Sequence, residues 1–112
     1  MSLSVDRNMD ELTHKDYLQL AEATLQRIEA AADAVDLDSK REGSVLTLEF
    51  DSGEQVIINL QPAINELWLA SRLGAYHFRL AEGSWRDTRE GRDFDGLLRD
   101  AVATLGGLAL PL

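Results

Sequence analysis

Residues 45–60 read VLTLEFDSGEQVIINL and carry the clearest structural signal in the chain. Apolar and polar residues alternate on both sides of Asp51-Ser52-Gly53, and these three residues are typical of a tight turn. Alternation with a period of two predicts strands, so the stretch predicts a β-hairpin. The side chains expected on its apolar face are Leu46, Leu48, Phe50, Val56, Ile58 and Leu60.

The same alternation predicts three further strands, over residues 66–70, 75–80 and 84–88. Apolar residues at steps of three and four predict a helix over about 14–34, before the hairpin. A second helix is predicted after Asp93, which is its expected N-cap, and Gly106-Gly107 ends it. The chain therefore runs from a helix through several strands to another helix.

The order and spacing of these elements predict the fold. The connections between strands are too short for parallel crossovers, so the sheet is antiparallel. Two helices with one apolar stripe each must cover one face of that sheet. We therefore predict an α+β fold, a two-layer α/β sandwich with two helices packed on one face of an antiparallel sheet of about five to six strands. A flexible leader is expected over residues 1–12, and a single domain over residues 13–112.

Composition and charge narrow the classes of function. The 112 residues carry a net charge of −9, and residues 1–54 alone account for −8. Such a surface repels nucleic acids and anionic membranes and attracts cations or basic protein patches, although it also simply favours solubility. The absence of cysteine excludes disulfides, thiolate metal sites and clusters held by the chain's own sulfurs. With no apolar run near 20 residues and no signal peptide, we expect a soluble, cytoplasmic protein.

Acidic and amide side chains recur on the first predicted helix at steps of four and three: Glu22, Gln26, Glu29, Asp33 and Asp36. These spacings form one stripe, and Asp38 continues it beyond the helix. Like charges repel along the stripe, and the helix dipole disfavours acids near its C-terminus, so a bound cation would relieve both costs. Carboxylates suit hard cations such as Fe(III), Mg²⁺ and Ca²⁺. We call Glu22, Glu29, Asp33, Asp36 and Asp38 the acidic ridge, and its spacing alone is compatible with weak metal binding there. The alternative is a solvated helix face.

The face of the sheet turned away from the helices is the second candidate site. Strand alternation puts Asn59, Gln61 and Trp68 on this face, where no third layer covers them. An exposed Trp beside amides is typical of a protein-binding surface. In the alternative, the stem of Arg72 or Arg79 covers the Trp68 ring.

No constellation of catalytic residues is recognisable. There is no thiol nucleophile, and no serine lies in a known nucleophile motif. His14 and His77 are distant in sequence, and no partner for a general base is evident. We therefore do not predict an enzyme.

The strand motifs resemble a known family. The hairpin at 45–62, ELWLAS at 66–71, GAYHF at 74–78 and WRDTREG at 85–91 resemble the bacterial frataxin (CyaY-type) family in their order and spacing. The resemblance extends from about Tyr17 to Gly107. Lys40 and Arg41 depart from it, because they carry positive charge where the family is often acidic or neutral.

The resemblance implies a function. Frataxins bind Fe(II) and Fe(III) weakly on an acidic ridge, and the matching positions here are Glu29, Asp33, Asp36 and Asp38, with Glu22 nearby. Bacterial members associate with the cysteine desulfurase and the iron–sulfur scaffold protein, which implies a partner surface at Asn59, Gln61 and Trp68. The expected function is an iron-binding accessory and regulatory protein of iron–sulfur cluster assembly, which has no catalytic residues and binds neither nucleic acid nor membrane.

Three alternatives stay open at this point. The chain could be a regulatory module of the desulfurase that works without iron, a weak ferroxidase or iron-storage protein, or an unrelated structural domain. We expect a monomer, with iron-driven oligomers as a further alternative.

Overall fold

The computed structural model describes the backbone of residues 2–112 and the side chains from His14 onward. A long helix, α1 (Ser2–Ala34), comes first. Six strands and a second helix follow: β1 (Asp38–Glu42), β2 (Val45–Glu49), β3 (Gln55–Gln61), β4 (Glu66–Ser71), β5 (Gly74–Ala81), β6 (Ser84–Asp87) and α2 (Phe94–Gly106). A single 3-10 turn, Pro62–Ile64, connects β3 to β4.

The six strands form one sheet in which each strand pairs antiparallel with the next, in the order β1-β2-β3-β4-β5-β6. The register places Asn59 opposite Trp68, and Trp68 opposite His77. Short connections produce this arrangement, because an antiparallel pair needs only a tight turn between its strands. The predicted antiparallel sheet is confirmed.

The core lies between the two helices and one face of the sheet. Fully buried side chains come from all three parts: Tyr17, Leu25 and Ile28 on α1, Leu46, Ile58, Leu67 and Phe78 on the sheet, and Leu98 and Val102 on α2. Two buried hydrogen bonds among the described side chains tie α1 to the sheet. The Tyr17 hydroxyl donates to the Glu66 carbonyl at 2.7 Å, and Trp85 Nε1 donates to Thr24 Oγ1 at 3.0 Å. The two-layer sandwich is therefore confirmed.

Both ends of α2 are as predicted. The Asp93 carboxylate accepts a hydrogen bond from the Gly96 amide at 3.1 Å, which satisfies an otherwise unpaired donor in the first turn. At the other end Gly107 has a φ of +64°, the left-handed conformation that commonly closes a helix.

Two elements differ from the prediction. The first helix begins at Ser2 and not near residue 14. The side chains of the predicted leader, residues 1–12, lie outside the described residues, so the flexibility of the leader stays a prediction. Strand β1 was not predicted, because Asp38–Glu42 contains no apolar residue and lies at the sheet edge. Charged residues are common on edge strands because they discourage pairing with other chains.

Neither helix, over the part of the chain that is described, is both long and apolar enough to cross a membrane.

Candidate functional site

The acidic ridge is distributed over three elements. Glu22, Glu29 and Asp33 lie on α1, which ends at Ala34. Asp36 lies in the turn that follows, with a φ of +55°, and Asp38 begins β1. The prediction that Asp36 continues the helical stripe is therefore wrong. An Asp tolerates this left-handed conformation better than most residues, which explains how the chain turns here without glycine.

Arg41 on β1 reaches back to α1 and pairs with two carboxylates of the ridge. Its Nη1 and Nη2 donate to the two oxygens of Glu22 at 2.6 and 2.5 Å, and Nη1 also lies 3.5 Å from Glu29 Oε1. The hydrogen bond from Arg41 lowers the pKa of Glu22 below its ordinary value. This part of the ridge is thus compensated from within the protein.

The other end of the ridge borders a groove of about 420 Å³. Asp36 and Asp38 line it together with Glu49 and Asp51, and the apolar Leu108 contributes to its wall. Glu49 is there because it lies directly opposite Asp38 in the pairing of β1 with β2. Neither Glu49 nor Asp51 was among the predicted site residues, since that pairing is visible only once β1 is recognised. Four carboxylates therefore face one groove.

The ridge and its groove form an exposed acidic surface. Asp33, Asp36 and Asp38 are all exposed. Among residues 14–112, no three His, Asp or Glu side chains are grouped closely enough to hold a metal ion as they stand. A surface of this kind attracts hard cations by its charge and can offer them oxygen ligands, with affinity limited by solvation of the carboxylates.

Trp68 lies on the sheet face opposite the helices, as the alternation predicted, and it is half-buried. The ring that covers it is His77 on β5, since the two rings stack with centroids 4.2 Å apart and planes 8° from parallel. Asn59 is the neighbour of Trp68 on β3. Gln61 lies further along β3, opposite Glu66, so the three predicted residues form one continuous patch.

Glu66 is a buried carboxylate beside this patch, and sequence analysis did not single it out. Its two oxygens accept hydrogen bonds from Trp68 Nε1 and Arg79 Nε, both at 2.8 Å, and His77 Nδ1 lies 3.8 Å away. Burial opposes ionisation of Glu66, but these hydrogen bonds and charges prevail and lower the pKa of Glu66. The carboxylate thereby holds the indole at a fixed angle on the sheet.

Comparison with known proteins agrees with this architecture. Residues 10–107 match the family model of the frataxin-like domain. A relative from Paraburkholderia phymatum, named iron-sulfur cluster assembly protein CyaY, is 44% identical over 98 residues, 86% of this chain and 93% of the relative. A protein of the same name from Burkholderia mallei is 40% identical over 104 residues, 88% of this chain and 96% of the relative.

Two solved structures are similar. Frataxin from Psychromonas ingrahamii has a TM-score of 0.80 at 31% identity and is matched over 88% of this chain and 95% of that one. Trimeric frataxin from Saccharomyces cerevisiae, complexed with ferrous iron, has a TM-score of 0.58 at 29% identity, with coverage of 82% and 83%.

An α+β sandwich with this strand order, an acidic surface at one edge and an aromatic patch on its open sheet face belongs to the class of small two-layer domains that the solved frataxins share. Within that class, the family match and the identities assign this chain plainly. It belongs to the frataxin family, in which its similar bacterial relatives are iron–sulfur cluster assembly proteins.

Proposed function

We propose that this protein is an iron-binding accessory and regulatory protein of iron–sulfur cluster assembly that acts through binding and not through catalysis. The observation that carries the proposal is the 44% identity, over 86% of the chain, to a relative named for iron–sulfur cluster assembly. The acidic groove and the Trp68 patch supply the two surfaces that such a function needs.

Iron is the cargo in this proposal, and the acidic ridge recruits it. Carboxylate oxygens at Asp33, Asp36 and Asp38 are exposed and suit hard cations. Because they are solvated and not grouped as a chelate, iron binds weakly and is easily passed on. The ferrous complex of the yeast relative supports iron as the ligand.

The proposed partners are the cysteine desulfurase and the iron–sulfur scaffold protein. The ridge attracts basic patches on a partner over a long range, which accelerates encounter. The patch of Asn59, Gln61 and Trp68 then makes the short-range contact, since a half-buried aromatic beside amides can form the desolvated centre of an interface.

The test is an NMR titration of the ¹⁵N-labelled protein with Fe(II) under anaerobic conditions, and then with the cysteine desulfurase. Iron is expected to broaden amide signals of Asp33, Asp36 and Asp38, and the desulfurase is expected to perturb the same edge or the surroundings of Trp68. The double variant Asp33→Asn/Asp36→Asn should weaken both effects, and so, less strongly, should Asp36→Asn alone, whereas Asp100→Asn, which removes one exposed acid on α2, is the control for the single variant. If the double variant binds iron and desulfurase as the wild type does, the proposal is wrong.

A regulatory module that works without iron is the second candidate. It is favoured by one observation, the pairing of two ridge carboxylates with Arg41. This candidate predicts the same desulfurase affinity with and without Fe(II), whereas the first predicts a difference. Weak ferroxidase activity is tested separately by comparing Fe(II) oxidation with its spontaneous rate, and iron-driven oligomers by sedimentation before and after Fe(II) is added.

A further inference from the structure

Arg41 is placed so that it competes with a cation for two carboxylates of the ridge. Glu22 and Glu29 are seven residues apart on α1, which is two helical turns, so both face the same side. The guanidinium of Arg41 lies over them, with both Glu22 oxygens engaged and one Glu29 oxygen at 3.5 Å. Its Nε also donates to the Gly43 carbonyl at 3.2 Å, which fixes the direction of the side chain.

The ion pair between Arg41 and Glu22 is of a kind that a competing cation does not easily displace. Two parallel N–H···O bonds between a guanidinium and a carboxylate are charge-assisted and geometrically matched. Arg does not lose its proton in proteins, so no change of pH within the physiological range releases it. The Arg41 side chain is 24% exposed and that of Glu22 is 47% exposed, so water screens the pair in part and the bidentate geometry carries most of its strength. A metal ion that takes Glu22 as a ligand must therefore first displace Arg41.

We propose that Arg41 is an internal counter-cation that keeps Glu22 out of metal binding, partly neutralises Glu29, and confines iron to the end of the ridge formed by Asp33, Asp36 and Asp38. This inference rests on the proposed iron-binding function and specifies which carboxylates carry it. At the free end, Asp36 and Asp38 share their groove with Glu49 and Asp51. Arg41 thus divides a ridge that sequence spacing presents as continuous.

The experiment compares Fe(II) binding by wild type, Arg41→Gln and Lys40→Gln under anaerobic conditions. Lys40 is the matched control because it is adjacent on β1 and its replacement removes the same charge. Among the side chains from His14 onward its one ion pair is with exposed Glu42, at 3.0 Å. The readout is line broadening at the amides of Glu22 and Asp33. Eleven residues of helix separate these amides by roughly 16 Å, far enough to distinguish the two ends of the ridge.

In the wild type, Fe(II) should broaden Asp33 at concentrations that leave Glu22 sharp. In Arg41→Gln, Glu22 should broaden as well, and its apparent affinity for Fe(II) should rise roughly thirtyfold, the effect on a divalent ion of one unit charge at about 4 Å in water. Lys40→Gln should leave Glu22 sharp. Adding Glu22→Gln and Glu29→Gln to Arg41→Gln should abolish the gain, which shows that these carboxylates are the new ligands.

Several results would overturn the inference. Equal broadening of Glu22 and Asp33 in the wild type would overturn it. This measurement needs no variant, so it can be made even if Arg41→Gln fails to fold. Equal gains in Arg41→Gln and Lys40→Gln would mean that only net charge matters. The two proposals also fail separately. If wild type shows no effect at Asp33 while Arg41→Gln gains one at Glu22, the proposed iron function fails and the role of Arg41 stands.

Discussion

Trp68 on β4 and His77 on β5 lie directly opposite each other, and their rings stack at a centroid distance of 4.2 Å. The indole is also tethered at its edge, because Nε1 donates to the buried Glu66 carboxylate. A side chain held at two points has little rotamer freedom left to lose when a partner binds. The proposed partner contact at Trp68 would therefore cost little ordering of its ring.

Replacing His77 with Ala should loosen the indole. Loss of a cross-strand aromatic pair is expected to lower the free energy of unfolding by about 0.5–1 kcal/mol. The heteronuclear NOE of the Trp68 indole N–H should fall, whereas that of Trp85 should not change, since Trp85 is buried and bonded to Thr24. Thr88→Ala, an exposed neighbour, provides the control. An unchanged NOE at Trp68 in His77→Ala would show that the stack does not restrain the ring.

Replacing Glu66 with Ala should have a larger effect. The change leaves Trp68 Nε1 and Arg79 Nε without their acceptor, and a lost acceptor for a partly buried donor costs about 1–3 kcal/mol. The Trp68 indole proton should shift upfield as its hydrogen bond is lost. Glu42→Ala removes an exposed carboxylate of the edge strand and should change stability by less than about 0.5 kcal/mol. If both variants unfold at the same urea concentration, the Glu66 network does not stabilise the sheet.

The strands in which apolar and polar residues alternate regularly could be predicted from the sequence. Leu46, Ile58 and Phe78 are fully buried, and Trp68 lies on the opposite face, because strand alternation alone assigns each side chain to a face. Both boundaries of α2 were predictable for a similar reason. Asp93 and Gly107 act through local backbone chemistry that needs no knowledge of the rest of the chain.

The arrangement of the acidic ridge could not be predicted, because it depends on a strand without an apolar signal. Asp38–Glu42 is exposed or half-buried throughout, so its sequence gives no alternation to detect. Once β1 is in place, it brings Arg41 to Glu22 and Asp38 to Glu49. Both contacts depend on the pairing and position of β1, and helical spacing within α1 contains no information about either.

The free energy of unfolding should depend on pH through Asp87. Its buried carboxylate accepts hydrogen bonds from the amides of Arg89, Glu90 and Arg92 at 2.7–2.9 Å and from Arg92 Nε at 3.0 Å. Burial opposes ionisation, but these bonds prevail and hold the pKa of Asp87 well below the ordinary value of about 3.9. The ionised carboxylate therefore contributes fully to the free energy of unfolding at pH values above the ordinary pKa. This contribution is lost as the pH falls toward the lowered pKa.

Asp87→Asn should accordingly cost about 1–3 kcal/mol in urea unfolding at pH 7, because the amide presents a donor to backbone donors. The difference in free energy of unfolding between variant and wild type should stay constant down to about pH 5 and become smaller below about pH 4. Asp100→Asn, at an exposed position, should show no such gap at any pH. A gap that does not narrow in acid would mean that Asp87 stabilises the turn without its charge.

Two glycines of α2 should respond to Ala in opposite directions. A Cβ at Gly106 would lie 2.3 Å from Cδ1 of Phe50, a buried ring, so Gly106→Ala forces the core apart and should cost about 1–3 kcal/mol. At Gly96 the nearest atom is Asp93 Oδ2 at 3.7 Å, so Gly96→Ala fits and should gain about 0.4–1 kcal/mol by restricting the unfolded chain. Urea unfolding of both variants and the wild type measures the difference. If Gly106→Ala is as stable as the wild type, the Phe50 ring has room to move, and the contact between α2 and the end of β2 is looser than its geometry indicates.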